Sequence, residues 1–406
     1  MWVRKGDWNG IYWLNGKIVK HISPQLTASN SKYTKPKSLY ANMKKSFKGH
    51  NIYGKGFVLE TKEAEIILKM DSRYKEVTKP FLNGEDLNTH FEQNPSRWII
   101  NFQNWSLEKA QTYPICIQIV REKVKPERDH NKRLNRREQW WIYGDYAKGL
   151  ENAISDMKQV LVVAQTSKYH NFVFVPNTMV YDQKVIVFAL NSFTDFIQLQ
   201  TSLHTEWVLA NSSTLGLTPV YAPSDCFETY PFPHNTTNLE LKGKSYYNHR
   251  QSIMQTRQEG LTKTYNRFHN PKEQSPDIIK LRELHKEMDE AVAQAYGWDD
   301  LALEHGFHET KQGLRYTISE AARQEVLDRL LLLNHQRHAE EVAAGLVDEN
   351  GKPTAKGKKL LAKDADNQHG RAKKNQAGKD GGNGQHPGSA AGTTDDEPGQ
   401  ATLFDL

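Results

Sequence analysis

Cysteine is nearly absent: Cys116 and Cys226 are the only two in 406 residues. Two thiols build neither a disulfide framework nor a cysteine-rich zinc site, and they fit a reducing cytoplasm. No apolar run of about eighteen residues occurs, so no membrane span is expected. The opening residues MWVRKGDWNG lack the apolar core of a signal peptide. Catalytic signatures are missing too. A DNA amino-methyltransferase uses an Asn/Asp-Pro-Pro-aromatic tetrad to hydrogen-bond the amine and stack on the flipped base. Here Asn94-Pro95 continues as Ser96, and Asn270-Pro271 continues as Lys272. A cofactor glycine loop should follow a buried apolar strand and open a helix. Gly54-Lys55-Gly56-Phe57 follows His50-Asn51-Ile52-Tyr53, which is no such strand, so it is expected to be a turn. Glu60-Thr61-Lys62 and Glu240-Leu241-Lys242 have the local spacing of a Mg²⁺ nuclease. The first sits at an expected helix start, and the second has only Asp225 upstream. His305-Gly306-Phe307-His308-Glu309 lacks the i, i+4 pairing of a zinc helix and is expected to be a loop. No catalytic residue, no metal ligand and no cofactor are assigned to this chain.

What the chain does have is one concentrated basic stretch. Between residues 121 and 137 lie Arg121, Lys123, Lys125, Arg128, Lys132, Arg133, Arg136 and Arg137, closed by Trp140 and Trp141. Cations beside aromatics and amides suit a surface that tracks phosphates and reads base edges. Glu122, Glu127, Asp129 and Glu138 are interleaved, so a solvated mixed-charge helix is the competing reading. Just upstream, RWIINFQNW (97–105) adds Arg97, Asn101 and Asn104 as candidate DNA contacts. The whole chain is mildly basic, with 54 Lys+Arg against 48 Asp+Glu for a net charge of +6. That balance is compatible with nucleic acid without requiring it.

In chain order, residues 1–44 hold a Trp- and Lys-rich segment with an Asn15-Gly16 hairpin signal and then a polar loop. Residues 45–240 suggest one mixed α+β domain. Strands are expected at 56–59, 97–102, 159–164, 172–175 and 185–190, and a helix capped by Ser192 should run through Trp207. Ser106 should cap a helix that Pro114 interrupts. Scattered short elements suit a recognition module better than a repeated βαβ enzyme core. Residues 241–346 form a helical domain, with one helix started by Ser275-Pro276-Asp277 and ended by Gly297, and another from Ser319 to Gly345. Arg250, Arg257, Lys263 and Arg267 lie between, where a solvated face and a phosphate contact are both open.

Residues 347–406 are rich in Gly, Ala, Asn and Gln, basic from Lys352 to Lys379 and acidic from Asp380 onward. Too little apolar area is available to offset ordering, so this tail is expected to be disordered. Its tip carries Gln400, Leu403 and Phe404. The spacing Gln-x-x-Leu-Phe resembles the peptide with which bacterial proteins dock on the DNA polymerase sliding clamp.

Several longer segments carry a wider resemblance: KSFKGHNIYGKGFVL (45–59), PFLNGEDLN (80–88), RWIINFQNW (97–105), YPICIQIVREKVKPER (113–128), SDCFETYPFP (224–233) and RYTISEAARQEVLDRLLLLNHQRHAEE (315–341). In wording and order they resemble the C-terminal half of the type IIL, MmeI-like restriction–modification enzymes. Those enzymes are similar to adenine-N6 DNA methyltransferases that use S-adenosylmethionine. The resemblance implies a target recognition domain followed by a helical extension, with double-stranded DNA and a methyltransferase catalytic polypeptide as partners. The family's cofactor loop and Asn-Pro-Pro-aromatic tetrad lie upstream and have no counterpart here. The expectation is therefore a split or truncated product that reads sequence, with S-adenosylmethionine belonging to the complete enzyme. The alternatives are a complete enzyme with an unrecognised site, or an inert remnant or interaction module that docks on the clamp.

Overall fold

The structure, a computed structural model, describes residues 10–363 apart from 15, 23–27, 30–34 and 217. An N-terminal hairpin (β1, Tyr12–Leu14; β2, Lys17–Val19) and a short antiparallel pair (β3, His21–Ile22; β4, Ala28–Ser29) come first. Two four-stranded sheets then form an α+β fold, each with its own core.

The second sheet in space is the smaller unit. It is built from β6 (Val58–Glu60), β7 (Thr78–Leu82), β8 (Arg97–Ile100) and β11 (Val180–Tyr181), in the order β11-β7-β8-β6. Its helices are α1 (Thr61–Met70), α3 (Leu107–Gln111), α4 (Pro114–Lys123), α5 (Lys125–Asp129) and α6 (Leu134–Glu138), whereas α2 (Gly84–Thr89), which follows β7, buries Leu87 in the core of the other sheet. Phe57, Leu59, Phe81, Ile99, Ile100, Phe102, Ile117, Val120, Trp140 and Tyr143 bury together as its core. Pro114 takes the first position of α4, where its missing N–H costs nothing, so the interruption expected after Ser106 is a restart. Gly56 lets the chain before β6 lie against the end of α4: a Cβ there would sit 2.5 Å from the Lys123 Cβ.

The larger unit carries β5 (Ser46–Lys48), β9 (Gln159–Ala164), β10 (Val173–Pro176) and β12 (Val185–Phe188), in the antiparallel order β10-β9-β12-β5. The expected strands at 159–164, 172–175 and 185–190 are all present within a residue or two. Around it stand α7 (Lys148–Ile154), α8 (Phe193–Gln200), α9 (Ser202–Asn211), α10 (Leu239–Arg257), α11 (Leu261–Phe268), α12 (Pro276–Ala295) and α13 (Glu320–Ala343). A hairpin, β13 (Ser213–Leu215) and β14 (Thr218–Val220), follows α9, and another, β15 (Gly306–Thr310) and β16 (Gly313–Thr317), precedes α13.

One core runs without a break from Val160–Ala164 and Phe188 through Phe196, Trp207 and Tyr230 to Met254, Met288 and Val326. The strands of 45–240 and the helices of 241–346 therefore share their apolar interior. Polar ties add to it. Asn334 on α13 accepts from the Lys37 N–H and donates to the Lys37 and Thr229 carbonyls. Glu341 accepts from the Tyr40 and Ala41 N–H groups.

Three expectations are corrected. The helix from Ser192 is two helices, because Thr201 adopts extended backbone (ψ 160°) and its hydroxyl caps α9 through the His204 N–H. The His305–Glu309 segment is no loop: residues 306–310 are β15, paired along their whole length with β16. Order also continues past residue 346. The Asp348 carboxylate accepts from the Asn350 and Lys352 N–H groups, Val347 bridges to Pro353, and a helical stretch follows at 355–363. Asx-type hydrogen bonding stabilises this turn where apolar burial is scarce. The rest of the expected tail, from 364 onward and including Gln400, Leu403 and Phe404, lies outside the described residues. No helix among the described residues is long and apolar enough to cross a membrane.

Candidate nucleic-acid interface

The basic stretch occupies α4, α5, α6 and the turns between them, all mounted on the smaller core. Its eight cations divide into three kinds.

The first kind is structural. Arg128 is completely buried. Its guanidinium donates to the Tyr53 carbonyl through Nε (3.2 Å) and Nη2 (2.8 Å), to Ile52 O (2.9 Å), to Gln139 O (3.3 Å) and to Ile142 O (2.6 Å). Burial pulls its pKa down to about 10, which leaves it protonated at neutral pH. Arg128 is thus corrected from a DNA contact to a clamp on two chain segments, because no donor face points outward. Asn101 is also buried, and its side-chain oxygen accepts from the Gln103 N–H in the turn after β8.

The second kind lies at the surface but is occupied. Lys123 pairs with Glu63 at 3.1 Å, and Lys125 pairs with Asp129 at 2.7 Å. Arg121 donates to Gln118 and lies over the Trp140 ring, 5.8 Å from its centroid. Arg137 donates to the Asn131 carbonyl at 2.8 Å. Surface pairs of this sort exchange readily for phosphate, since each is worth at most about 1 kcal/mol.

The third kind is open. Lys132 and Arg133 are exposed, with no side-chain partner among the described residues. Arg136 is half-buried and rests over the ring of Tyr53, 4.0 Å from the centroid.

Tyr53 and the exposed Lys55 beside it were not picked out from the sequence. Tyr53 has φ +46°, a left-handed conformation that a bulky side chain rarely adopts. The segment before it pairs with 144–145: Asn51 and Asp145 exchange both backbone hydrogen bonds, and the Gly144 N–H donates to Ile52 O. Only glycine fits at 144, because a Cβ would lie 2.7 Å from that of Tyr53. The Asn131 amide donates to the Tyr53 hydroxyl at 2.9 Å. A tyrosine followed by two glycines in NIYGKG carries no sequence sign that its ring is held outward.

Arg97 and Asn104 belong to β8 and the turn that follows it. Arg97 is half-buried at the start of β8, and Asn104 is exposed in the turn after Gln103. That turn is fastened to the basic unit by Trp141, which donates to the Trp105 carbonyl at 2.8 Å. The arginines further along do other work. Arg250 is buried and donates to Phe172 O; Arg257 pairs with Asp277; Arg267 pairs with Glu259 and Glu273. All three hold helices together.

No group of three or more His, Cys, Asp or Glu could hold a metal among the described residues. Glu240 of the nuclease-like spacing accepts from the Thr194 N–H and hydroxyl. The Gly54–Gly56 turn does not fit S-adenosylmethionine, because Gly56 is packed on the Lys123 main chain and leads into a strand.

Such an arrangement, an α+β scaffold presenting cations beside aromatics, suits a recognition module. The family model described as "MmeI, target recognition domain" matches residues 29–234, which is 206 of the 406 residues, and the chain belongs to this family. Among solved structures, the type IIL restriction–modification enzyme MmeI in complex with DNA is similar in fold, with TM-score 0.56 and 16% identity. The match covers 80% of this chain and 39% of that one, so the chain spans about two fifths of that enzyme's length. No curated protein matches.

Proposed function

We propose that this chain binds double-stranded DNA and reads its sequence for a site-specific adenine-N6 methyltransferase of the type IIL kind. The observation that carries the reading is the set of open cations on α6 and its flanks, within a chain of the target-recognition family. Lys132, Arg133 and Arg137, with Lys123 and Lys125 released from their carboxylates, neutralise phosphates and set the register. Arg97 and Asn104 supply side-chain chemistry suited to contacts with base edges. Flipping and methylation of the base fall to a methyltransferase catalytic polypeptide that binds S-adenosylmethionine. The DNA polymerase sliding clamp is a further proposed partner, through Gln400, Leu403 and Phe404.

The test is a gel shift on genomic fragments with the purified chain at several salt concentrations, paired with a methyl-transfer assay. Retarded fragments and a blank methylation assay are expected. Methyl transfer by the pure chain would overturn the division of labour, and failure to bind any duplex at low salt would overturn the reading itself.

A further inference from the structure

We propose that Arg136 reads a guanine in the target duplex, with Tyr53 as its platform and Arg128 as the residue that positions both. This rests on the reading of the chain as a DNA-recognition module, and it adds which side chain supplies one element of specificity.

Arg136 differs from Lys132 and Arg133, the other open cations, in having an aromatic ring beneath it. Its guanidinium has no hydrogen bond or ion pair among the described residues, whereas Arg121, Arg137, Lys123 and Lys125 all have partners. It is nonetheless not loose, because it stacks on the Tyr53 ring at 4.0 Å. A guanidinium resting on a ring keeps its N–H groups available to a ligand, and none of those of Arg136 is bonded among the described residues. Guanine presents two acceptors, O6 and N7, side by side in the major groove, and a planar fork meets both at once. Prior stacking reduces the side-chain freedom lost on binding.

The platform is held in place by several independent contacts. Tyr53 sits in left-handed backbone, and the residue remains 41% exposed. Four features keep it there: the close approach of Gly144, the pairing of 51–52 with 144–145, the Asn131 bond to its hydroxyl, and Arg128 on the carbonyls of Ile52 and Tyr53. Backbone strain that the surroundings over-determine is a mark of a functional position. Had the aromatic been needed for packing, the ring would be covered. The same fork would also suit a phosphate, so the test must separate a base contact from a backbone contact.

The full chain is used to select duplexes from a random-sequence pool, alongside Arg136→Lys, Arg136→Ala and Lys132→Ala, with melting curves confirming that each folds. Arg136→Lys keeps the charge and loses the planar fork. The wild type should enrich a site containing a G·C pair. Both Arg136 variants should flatten the preference at that one pair by roughly 5- to 150-fold and leave the other positions unchanged. Lys132→Ala should weaken every sequence alike. Equal weakening of all sequences by the Arg136 variants, or an unchanged preference, overturns the base-reading role while leaving DNA recognition standing. A wild type that enriches no sequence overturns the parent reading, and this inference falls with it.

Discussion

Replacing Arg128 with methionine should destabilise the smaller unit by about 3 kcal/mol, and the structure shows where that figure comes from. Five hydrogen bonds to four carbonyls disappear. Ile52 O keeps the Gly144 N–H, and Gln139 is exposed enough for its carbonyl to turn to water. That leaves Tyr53 O and Ile142 O without partners, at about 1–3 kcal/mol each. Against this, the variant no longer desolvates a guanidinium, which returns part of the roughly 2–6 kcal/mol. Arg128→Lys should fall between, because an ammonium offers three donors and less reach. Urea titration gives the stability change. Hydrogen exchange of peptides covering 50–57 and 138–146 locates it, since those two segments are the ones the guanidinium ties together. A midpoint shift equivalent to less than about 0.5 kcal/mol would refute the reasoning, because surface substitutions alone reach that size. So would full-size destabilisation with both segments still protected.

Lys132→Ala combined with Arg133→Ala should reduce the steepness of the salt dependence of duplex binding by about 1.8 in log–log slope, as two phosphate contacts are lost; an unchanged slope measured by fluorescence anisotropy would remove those residues from the interface. Leu403→Ala with Phe404→Ala should abolish pull-down by purified sliding clamp if the Gln400 motif docks there, and equal capture of the variant ends that idea. Acidification should destabilise the larger unit. Burial holds His170 near a pKa of about 4 and His204 near about 3, so between those values and about 6.5 the unfolded chain binds the extra protons. Stability is then present above that window and lost as pH falls through it, by on the order of 3 kcal/mol for each histidine. Glu206, whose carboxyl desolvation raises to about 7, acts in the opposite direction and offsets part of the loss. Urea midpoints at pH 7.5 and pH 5 decide it, and equal midpoints contradict the burial argument.

Local signals served the sequence reading best. Pro276, Ser319 and Ser192 mark helix starts by chemistry that acts within one turn, and each helix begins there. The β-branched runs of β9, β10 and β12 needed only their own composition. What failed was anything set at long range. The continuous stripe through Phe196 and Trp207 hid a break at Thr201, because both halves bury apolar residues on either side of it. The basic run was visible, but its division into clamp, paired and open cations was not. Arg128 and Arg136 are both arginines on the same stretch, eight residues apart. Only the packing of 51–54 against 139–144 makes the first a buried clamp and leaves the second open.

That packing also bears on how the two cores divide the work. The apparent boundary near residue 240 does not coincide with any break in the apolar interior, since strands from before it and helices after it fill one core. The division that does exist lies within the family match, where the sheet carrying β6, β7 and β8 has its own interior and bears every open cation of the basic stretch. Binding loops placed on a small core of their own can change their side chains with limited effect on the larger one, because packing faults propagate through shared interiors. Positions that read DNA are therefore free to vary so long as the clamp beneath them persists. Arg128 meets that requirement with bonds to main-chain carbonyls only, which any residue at 52, 53, 139 or 142 supplies. A scaffold held through backbone atoms leaves the side chains above it available for recognition.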